Sequence, residues 1–399
     1  MRKIFYLIIF LFVIFSLVSV YKYMPLEDQF AKGADEGHYF AYSKYISENG
    51  IRIYPKLFEE HIKNKESAIW PSPLRIGFFL LSSFWLKFFG ASFRSLAYFS
   101  FFCYILFLLI SFYFSKRYFG KGISSLFVLL LAFSPLSMAM AKRALSDSAG
   151  NLFIISSIWL FLHFLSEKKF FNFILFLFVY IYTILIREQS ILLICFFSLY
   201  FLIYIYIFKV NISKIYFPAI ILLPVFMAAS VWLISSQSLT NLITMIKLTR
   251  TLPTINEYSV LFCRGPWFRY IIDYLLVSPL VTILALSFVI YTLTNREILK
   301  DNKITYFLIL FLVLYLMLSS FDYNKNIRYA ISLDMIMRLF VILILKEIFK
   351  KSRFSGDFVF LTVIFLCFTD YLNFNYLFCQ NNIYDPISFV LLKSWRFIP

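Results

Sequence analysis

Charge is what this sequence has least of. Only 15% of its 399 residues are Asp, Glu, Lys or Arg, against 61% hydrophobic residues that include 53 Phe. The apolar residues fall in repeated runs of bilayer-spanning length, and no soluble module of any size is left over. The chain therefore reads as an all-α polytopic membrane protein. Acidic residues are scarcer than basic ones, 21 against 38, for a formal net charge of +17. No nucleic-acid partner is expected from that excess, because nothing soluble remains to carry a basic face and Lys/Arg clusters between spans set topology. Cys103, Cys195, Cys263, Cys367 and Cys379 show no metal or redox spacing, and three of them lie in apolar segments as packing residues. Cys263 and Cys379 fall on one side of the topology below, where a disulfide between them is compatible with an oxidising compartment.

Other absences narrow the class. No nucleotide-binding P-loop is present, which argues against an ATP-driven pump. No internal repeat or matched pair of Gly/Pro breaks is evident, which counts against the commonest transporter designs. Arg2 and Lys3 precede the apolar run Ile4–Val20, yet no small-x-small cleavage site follows. This start reads as an uncleaved signal anchor with its N-terminus cytoplasmic.

Ten further apolar segments run over residues 93–115, 122–140, 148–165, 170–186, 188–208, 215–236, 275–293, 304–320, 329–345 and 358–374. Leu74–Phe89 is 16 residues long and carries Arg75 and Lys87, which suits an interfacial or re-entrant helix better than a span. If it does not cross, fourteen basic residues fall in five short inner loops and five (Lys142, Arg143, Arg187, Lys325, Arg328) in three short outer ones. If it did cross, that bias would invert, so the positive-inside rule favours about 11 spans. The organisation expected is a single transmembrane domain over 1–399. An external loop with juxtamembrane helices covers 22–92, the rest of the core 93–236 and a second external loop 237–274. C-terminal helices cover 275–374 and an external tail 375–399, in which no chemistry is recognisable.

The remaining charges collect on the outer face. They sit in "GADEGHYFAYSKYISENG" (Gly33–Gly50), "KRALSD" (Lys142–Asp147), "REQS" (Arg187–Ser190) and "FDYNKNIRY" (Phe321–Tyr329). Charges near span ends are costly unless they face water, pair or serve a site, and four such loops can frame an extracytoplasmic cavity. Tyr39, Tyr42 and Ile46 stand at helical spacing, with Ser47–Gly50 as a stop. Residues 56–65 form a second short helix, with Pro55 suited to its first turn, and "WPSPLR" (Trp70–Arg75) is a rigid extended turn.

A signal anchor, an acidic pair opening a long external loop, a Pro-rich turn before a stretch ending in "FFG", then "RYFG" and "AFSPLSMAMAKRALSDSAGNLF" (Ala132–Phe153) follow one another. In this order they resemble the GT-C membrane glycosyltransferases, in particular the branch of protein O-mannosyltransferases and lipid A aminoarabinose transferases. The likeness covers mainly the first 190 residues. It implies hexosyl or pentosyl transfer from a polyprenyl-phosphate sugar to a lipid, glycan or protein acceptor on the extracytoplasmic face of a plasma membrane, best matched by a bacterial inner membrane. On that likeness Asp35 is the general base, Glu36 a neighbour that raises its basicity or orients the acceptor, and Asp147 the second acidic position. Asp147 is also a natural N-cap for the span that follows. Lys142 and Arg143 are placed to bind the carrier phosphate, with Arg187, Arg328 and Tyr329 as further phosphate or donor candidates. An ion pair between Arg187 and Glu188 is the structural alternative for that arginine.

His38, His61 and Arg75 are acceptor or loop candidates. The two histidines share their loop with several carboxylates, so a divalent cation stays open; no ligand spacing supports one, and no metal residue or other cofactor is assigned. His163, near an inner span end, reads as packing. Asp334 and Arg338 are one helical turn apart and read as a buried neutralised pair. "CRGPWFRY" (Cys263–Tyr270) reads as an interfacial turn anchored by aromatics, with a lipid or acceptor entrance as its functional alternative. Two other functions are compatible with the composition: a flippase or transporter of lipid-linked sugars, and an O-antigen polymerase or ligase. Those polymerases and ligases usually carry their large functional loop late in the chain, whereas here it lies between the first two spans.

Overall fold

The computed structural model describes residues 2–63, 71–323, 325–352, 354–384, 387 and 391. Trp70 of the Pro-rich turn, Asn64 and Lys65 at the end of the expected second short helix, Arg353 of an inner loop and most of the C-terminal tail lie outside them. Every regular element among the described residues is helical. In chain order these are α1 (Arg2–Lys22), α2 (Asp35–Asn49), α3 (Tyr54–Lys63), α4 (Ile76–Phe89), α5 (Phe93–Phe119), α6 (Lys121–Ala132), α7 (Pro135–Ala141), α8 (Asp147–Glu167) and α9 (Phe170–Ile186). A tight turn at Glu188–Leu192 leads to α10 (Leu193–Tyr206), α11 (Tyr216–Ser236), α12 (Leu239–Ile255), α13 (Glu257–Phe262) and α14 (Arg269–Val277). The chain continues as α15 (Pro279–Thr294), α16 (Asn302–Ser319), α17 (Ile331–Ile348) and α18 (Ser355–Asn373).

Each of the eleven expected apolar segments is helical. Among the described residues, seven helices are long and apolar enough to cross a membrane, or eight if the bent pair α6–α7 is one span; α4, α9 and α15 are shorter apolar helices. The protein is an integral membrane protein. All five cysteines stand as thiols, with no disulfide among the described residues.

The chain forms two compact units. The first comprises Met1–Tyr23, Tyr104–Met140 and Gly265–Pro399. Its centre is α17, buried on all sides from Ile331 to Leu345, as expected of a helix apolar all round. Arg338 sits at its middle without exposure, and Asp334 one turn earlier accepts from its Nε at 3.0–3.1 Å. The pair read from the sequence is thus present, but α18 adds a second carboxylate: Asp370 lies 2.7 Å from Arg338 Nη1 and accepts from Ser278 Oγ at 2.5 Å.

The 122–140 segment, expected as one straight span, is broken. α6 and α7 meet at 61° across Phe133 and Ser134. Pro135 has no N–H and its ring clashes with the carbonyl four residues back, so the helix restarts at the proline. Ser134 Oγ accepts from the Ser137 N–H at 3.1 Å. The Ala132 carbonyl freed at the break accepts from Tyr104 OH at 2.7 Å and from Ser16 Oγ, while Leu130 O accepts from Arg338 Nη1 at 2.8 Å. In a hydrocarbon environment such freed groups must be satisfied by side chains.

The second unit comprises Met24–Cys103 and Ala141–Arg264. α8 and α9 are antiparallel, joined by a turn in which Lys168 takes a left-handed conformation (φ 55°). Thr183 and Ser157 hydrogen bond across them at 2.8 Å. α4 packs between α2 and α9. Its 14 residues span about 21 Å, short of a hydrocarbon core. Ser82 meets Ser43 of α2 at 2.7 Å, and Tyr182 OH of α9 donates to Gly77 O at 3.0 Å. The short helices of the first loop lie where their apolar spacing puts them: Tyr39, Tyr42 and Ile46 are buried, and α2 ends at Gly50 with φ 75°. Glu27 caps α5, accepting from the Phe93 and Arg94 N–H groups at 2.8 and 3.0 Å.

Removing Arg338 leaves two buried carboxylates without their cation. Arg338→Ala is expected to cost about 3–5 kcal/mol, and pairing Arg338→Met with Asp334→Asn and Asp370→Asn should recover most of that loss. Thermal unfolding of the parent, Arg338→Ala and the triple variant in detergent checks this; an Arg338→Ala protein as stable as the parent would refute it.

Candidate active site

The acidic pair opens α2. Ala34 is its extended N-cap residue, so Asp35 and Glu36 occupy the first turn, where the partial positive charge of the helix end favours anions. The two carboxylates then part company. Glu36 is 1% exposed and uses both oxygens twice. Oε1 accepts from Arg143 Nε (2.5 Å) and the Ala144 N–H (3.0 Å), and Oε2 from Arg143 Nη2 (2.6 Å) and the Ala31 N–H (2.9 Å). It thereby ties the start of α2 to the Lys142–Asp147 turn. The preceding loop folds so tightly on the helix that a Cβ at Gly37 would meet Lys32 O at 1.8 Å. Asp35 is half-buried beside this clamp.

Asp147 is the first residue of α8, with Ser146 as N-cap and no side-chain cap bond. Its carboxylate receives Arg187 Nη2 in a pair whose members are each 3% exposed. The neighbouring Glu188 does not take Arg187 as its partner. It is gripped by Arg75, whose Nε and Nη2 donate at 3.0 and 3.1 Å. Arg75 Nη1 donates to Tyr39 OH, which also accepts from Ser146 Oγ at 2.8 Å. Gly150 leaves space for Arg187: a Cβ there would meet its Cδ at 2.9 Å. Lys142 is buried, at 4% exposure, one residue from Arg143. Sequence reasoning named Arg75, Asp147, Arg187 and Glu188 but missed that Arg75 takes Glu188 and Tyr39 as its partners, because residues 113 and 36 positions apart share no local pattern.

Electrostatics link the same groups. Burial pushes the Tyr39 phenol up to about 12, with Arg75 pulling it down and the Asp35 and Asp147 carboxylates both raising it. One phenol thus feels both candidate acids. Burial lowers the His38 pKa, opposed by Asp35, and takes His61 down to about 4 with help from His38. His61 Nδ1 lies 3.4 Å from Tyr42 OH. Among the described residues no group of three or more His, Cys, Asp or Glu is gathered as a metal site.

Arg328 and Tyr329 belong to the first unit, in a tight turn at Ile327–Ala330 where Asn326 Oδ1 accepts from the Arg328 N–H at 2.9 Å. Lys325, unassigned from sequence, is fully buried there and donates to Pro266 O (2.8 Å) and Ser319 O (3.2 Å). Burial lowers its pKa against the pull of Asp322. Trp267 beside it is 62% exposed, while Arg269 is buried against Asp273 at 3.6 Å.

These observations define an all-helical membrane protein with a buried polar layer in its second unit. Known structures share this fold. ArnT from Cupriavidus metallidurans in the apo state is similar over 96% of this chain and 67% of that one, with 14% identity and a TM-score of 0.60. The same protein bound to undecaprenyl phosphate matches over 96% and 68%, with 13% identity and a TM-score of 0.57. The Archaeoglobus fulgidus oligosaccharyltransferase tethered with an acceptor peptide matches over 76% and 46%, with 12% identity and a TM-score of 0.55. The chain spans about two thirds of the ArnT length and under half of the oligosaccharyltransferase. No family model matches the sequence, and no curated protein matches it. Both neighbours are GT-C glycosyltransferases, and the fold of this chain is the GT-C fold.

Two outcomes follow for α2 and α3. Glu36→Ala should cost about 3–5 kcal/mol by taking a buried carboxylate from Arg143 and from the Ala31 and Ala144 N–H groups, whereas Glu48→Ala, which removes the exposed Lys44–Glu48 pair at 3.8 Å, should cost about 0.5 kcal/mol or less. Equal effects in thermal unfolding would contradict this. For His61, the folded pKa of about 4 lies below the unfolded value near 6.5, so the unfolded state binds the extra proton between them. Stability should then fall by about 3 kcal/mol as pH drops from about 6.5 to 4, and His61→Gln should flatten that decline.

Proposed function

We propose that this chain is a membrane glycosyltransferase that moves a hexose or pentose from a polyprenyl-phosphate carrier to a hydroxyl of a lipid, glycan or protein. The acceptor side is extracytoplasmic, with about eleven spans and a cytoplasmic N-terminus. The observation that carries the reading is the division of labour in the second unit: Glu36, Asp147 and Glu188 are buried against arginines, while Asp35 is half-buried at their edge. Similar folds support it, since ArnT is seen with undecaprenyl phosphate and the oligosaccharyltransferase with an acceptor peptide, the two ends of such a reaction.

In this reading Asp35 takes the acceptor O–H proton as the oxygen attacks the anomeric carbon; the carbon–oxygen bond to phosphate breaks and the polyprenyl phosphate leaves as an anion. Lys142 and the guanidiniums of Arg143 and Arg187 lie in the buried polar layer and supply positive charge for the leaving phosphate. Asp147 orients the acceptor side, with His38, His61 and Arg75 lining its approach. Arg328 and Tyr329 are phosphate candidates of the first unit.

The test is transfer of labelled sugar from a panel of polyprenyl-phosphate sugars by purified protein, with membrane lipid, polysaccharide and peptide acceptors. A folded Asp35→Asn protein should lose about 10²–10⁴-fold in kcat. Full activity in that variant removes Asp35 as base. Absence of transfer by the parent, with carrier movement across liposomes, would make the protein a flippase.

A further inference from the structure

The buried polar layer closes into a ring. From Tyr39, a hydrogen bond leads to Arg75 and an ion pair from Arg75 to Glu188. One peptide bond further is Arg187, whose ion pair leads to Asp147, and one peptide bond back from Asp147 is Ser146, which donates to Tyr39. Four segments distant in sequence are thus held by two hydrogen bonds and two ion pairs. Tyr39 is where the ring meets α2, one helical turn beyond Asp35 and on the same face. Its ring is wedged edge-on against Phe78, with centroids 5.1 Å apart, so the hydroxyl has one direction to point.

We infer that Tyr39 is a positioning residue: through Ser146 and Arg75 its hydroxyl fixes the distance between Asp35 on α2 and Asp147 on α8. This rests on the glycosyltransferase reading, in which those two acids act on one acceptor. Glu36 secures the helix start to the Arg143 side of the turn, whereas Tyr39 secures the next turn to the Asp147 side, so that α2 cannot pivot about its first residue. Two attachments one turn apart define an orientation; either alone defines only a point. The Tyr39 hydroxyl receives two donors, one of them charged, and replacing it with hydrogen leaves a buried guanidinium edge and a buried hydroxyl without their acceptor.

The experiment uses the full-length protein and Tyr39→Phe, which keeps the ring and deletes the hydroxyl, with Ser146→Ala as the second variant. Transfer kinetics and hydrogen exchange at residues 35–39 and 142–148 are read together. Tyr39→Phe is expected to lower kcat by about ten- to a hundredfold with little change in the KM for the polyprenyl-phosphate sugar. The loss should be constant across the neutral pH range, since the phenol stays protonated there. Ser146→Ala should give a smaller loss of the same kind, and both variants should exchange faster at the 142–148 turn. Unchanged kcat, or a loss carried by KM alone, overturns the positioning role. If the parent transfers no sugar, the glycosyltransferase reading fails by itself; the exchange data then decide the ring, and unaltered exchange in both variants overturns it.

Discussion

A carboxylate or guanidinium taken out of water must be matched at nearly every polar atom, and in a chain with so few charges this requirement organises everything else. Desolvation of a lone ion costs several kcal/mol, which only close opposite charge and well-aligned donors offset. Glu36 meets the demand with two backbone N–H groups and one guanidinium. Asp334, Arg338 and Asp370 meet it with each other, a serine and a helix carbonyl. Each matched ion is also a joint, because its partners come from segments remote in the sequence. The elements that the apolar runs leave free to slide are therefore registered by the charges.

The same requirement accounts for the small residues around the ions. Gly150 admits the Arg187 stem, and Gly37 allows the Lys32 carbonyl to close on α2. A methyl group at either place would displace a joint; neither position needs a left-handed backbone. The α6–α7 break follows a related logic. Pro135 frees carbonyls at the end of α6, and hydroxyls from α1 and α5 with the guanidinium of α17 satisfy them. A kink in an apolar environment is sustained by polar side chains on the neighbours, so it binds the neighbours as firmly as they bind it.

Local chemistry explains which parts of this were legible in the sequence. The extent of α2, the burial of Tyr39, Tyr42 and Ile46, the stop at Gly50 and the Asp334–Arg338 pair all follow from spacing within one helix, and spacing is what a sequence displays. The break before Pro135 was also written there, in a Ser-Pro inside an apolar run, but length and hydropathy masked it. The pairing of Arg75 with Glu188, and of Arg187 with Asp147 in place of its neighbour Glu188, was not legible. Adjacent opposite charges on a chain read as partners, whereas at a helix end their side chains diverge and each finds its counter-ion on another segment. The burial of Lys325 was not legible for the same reason: its acceptors are backbone carbonyls, which every sequence has in equal supply.

Burial separates the two acids that begin α2. Glu36 has spent its acceptor capacity on Arg143 and two backbone groups. Asp35, half-buried beside it, leaves its charge to act on both His38 and Tyr39. Adjacent carboxylates in one sequence motif thus acquire opposite properties from a difference in environment alone. The buried one ties the start of α2 to the Lys142–Asp147 turn, and the half-buried one is thereby held in a defined place.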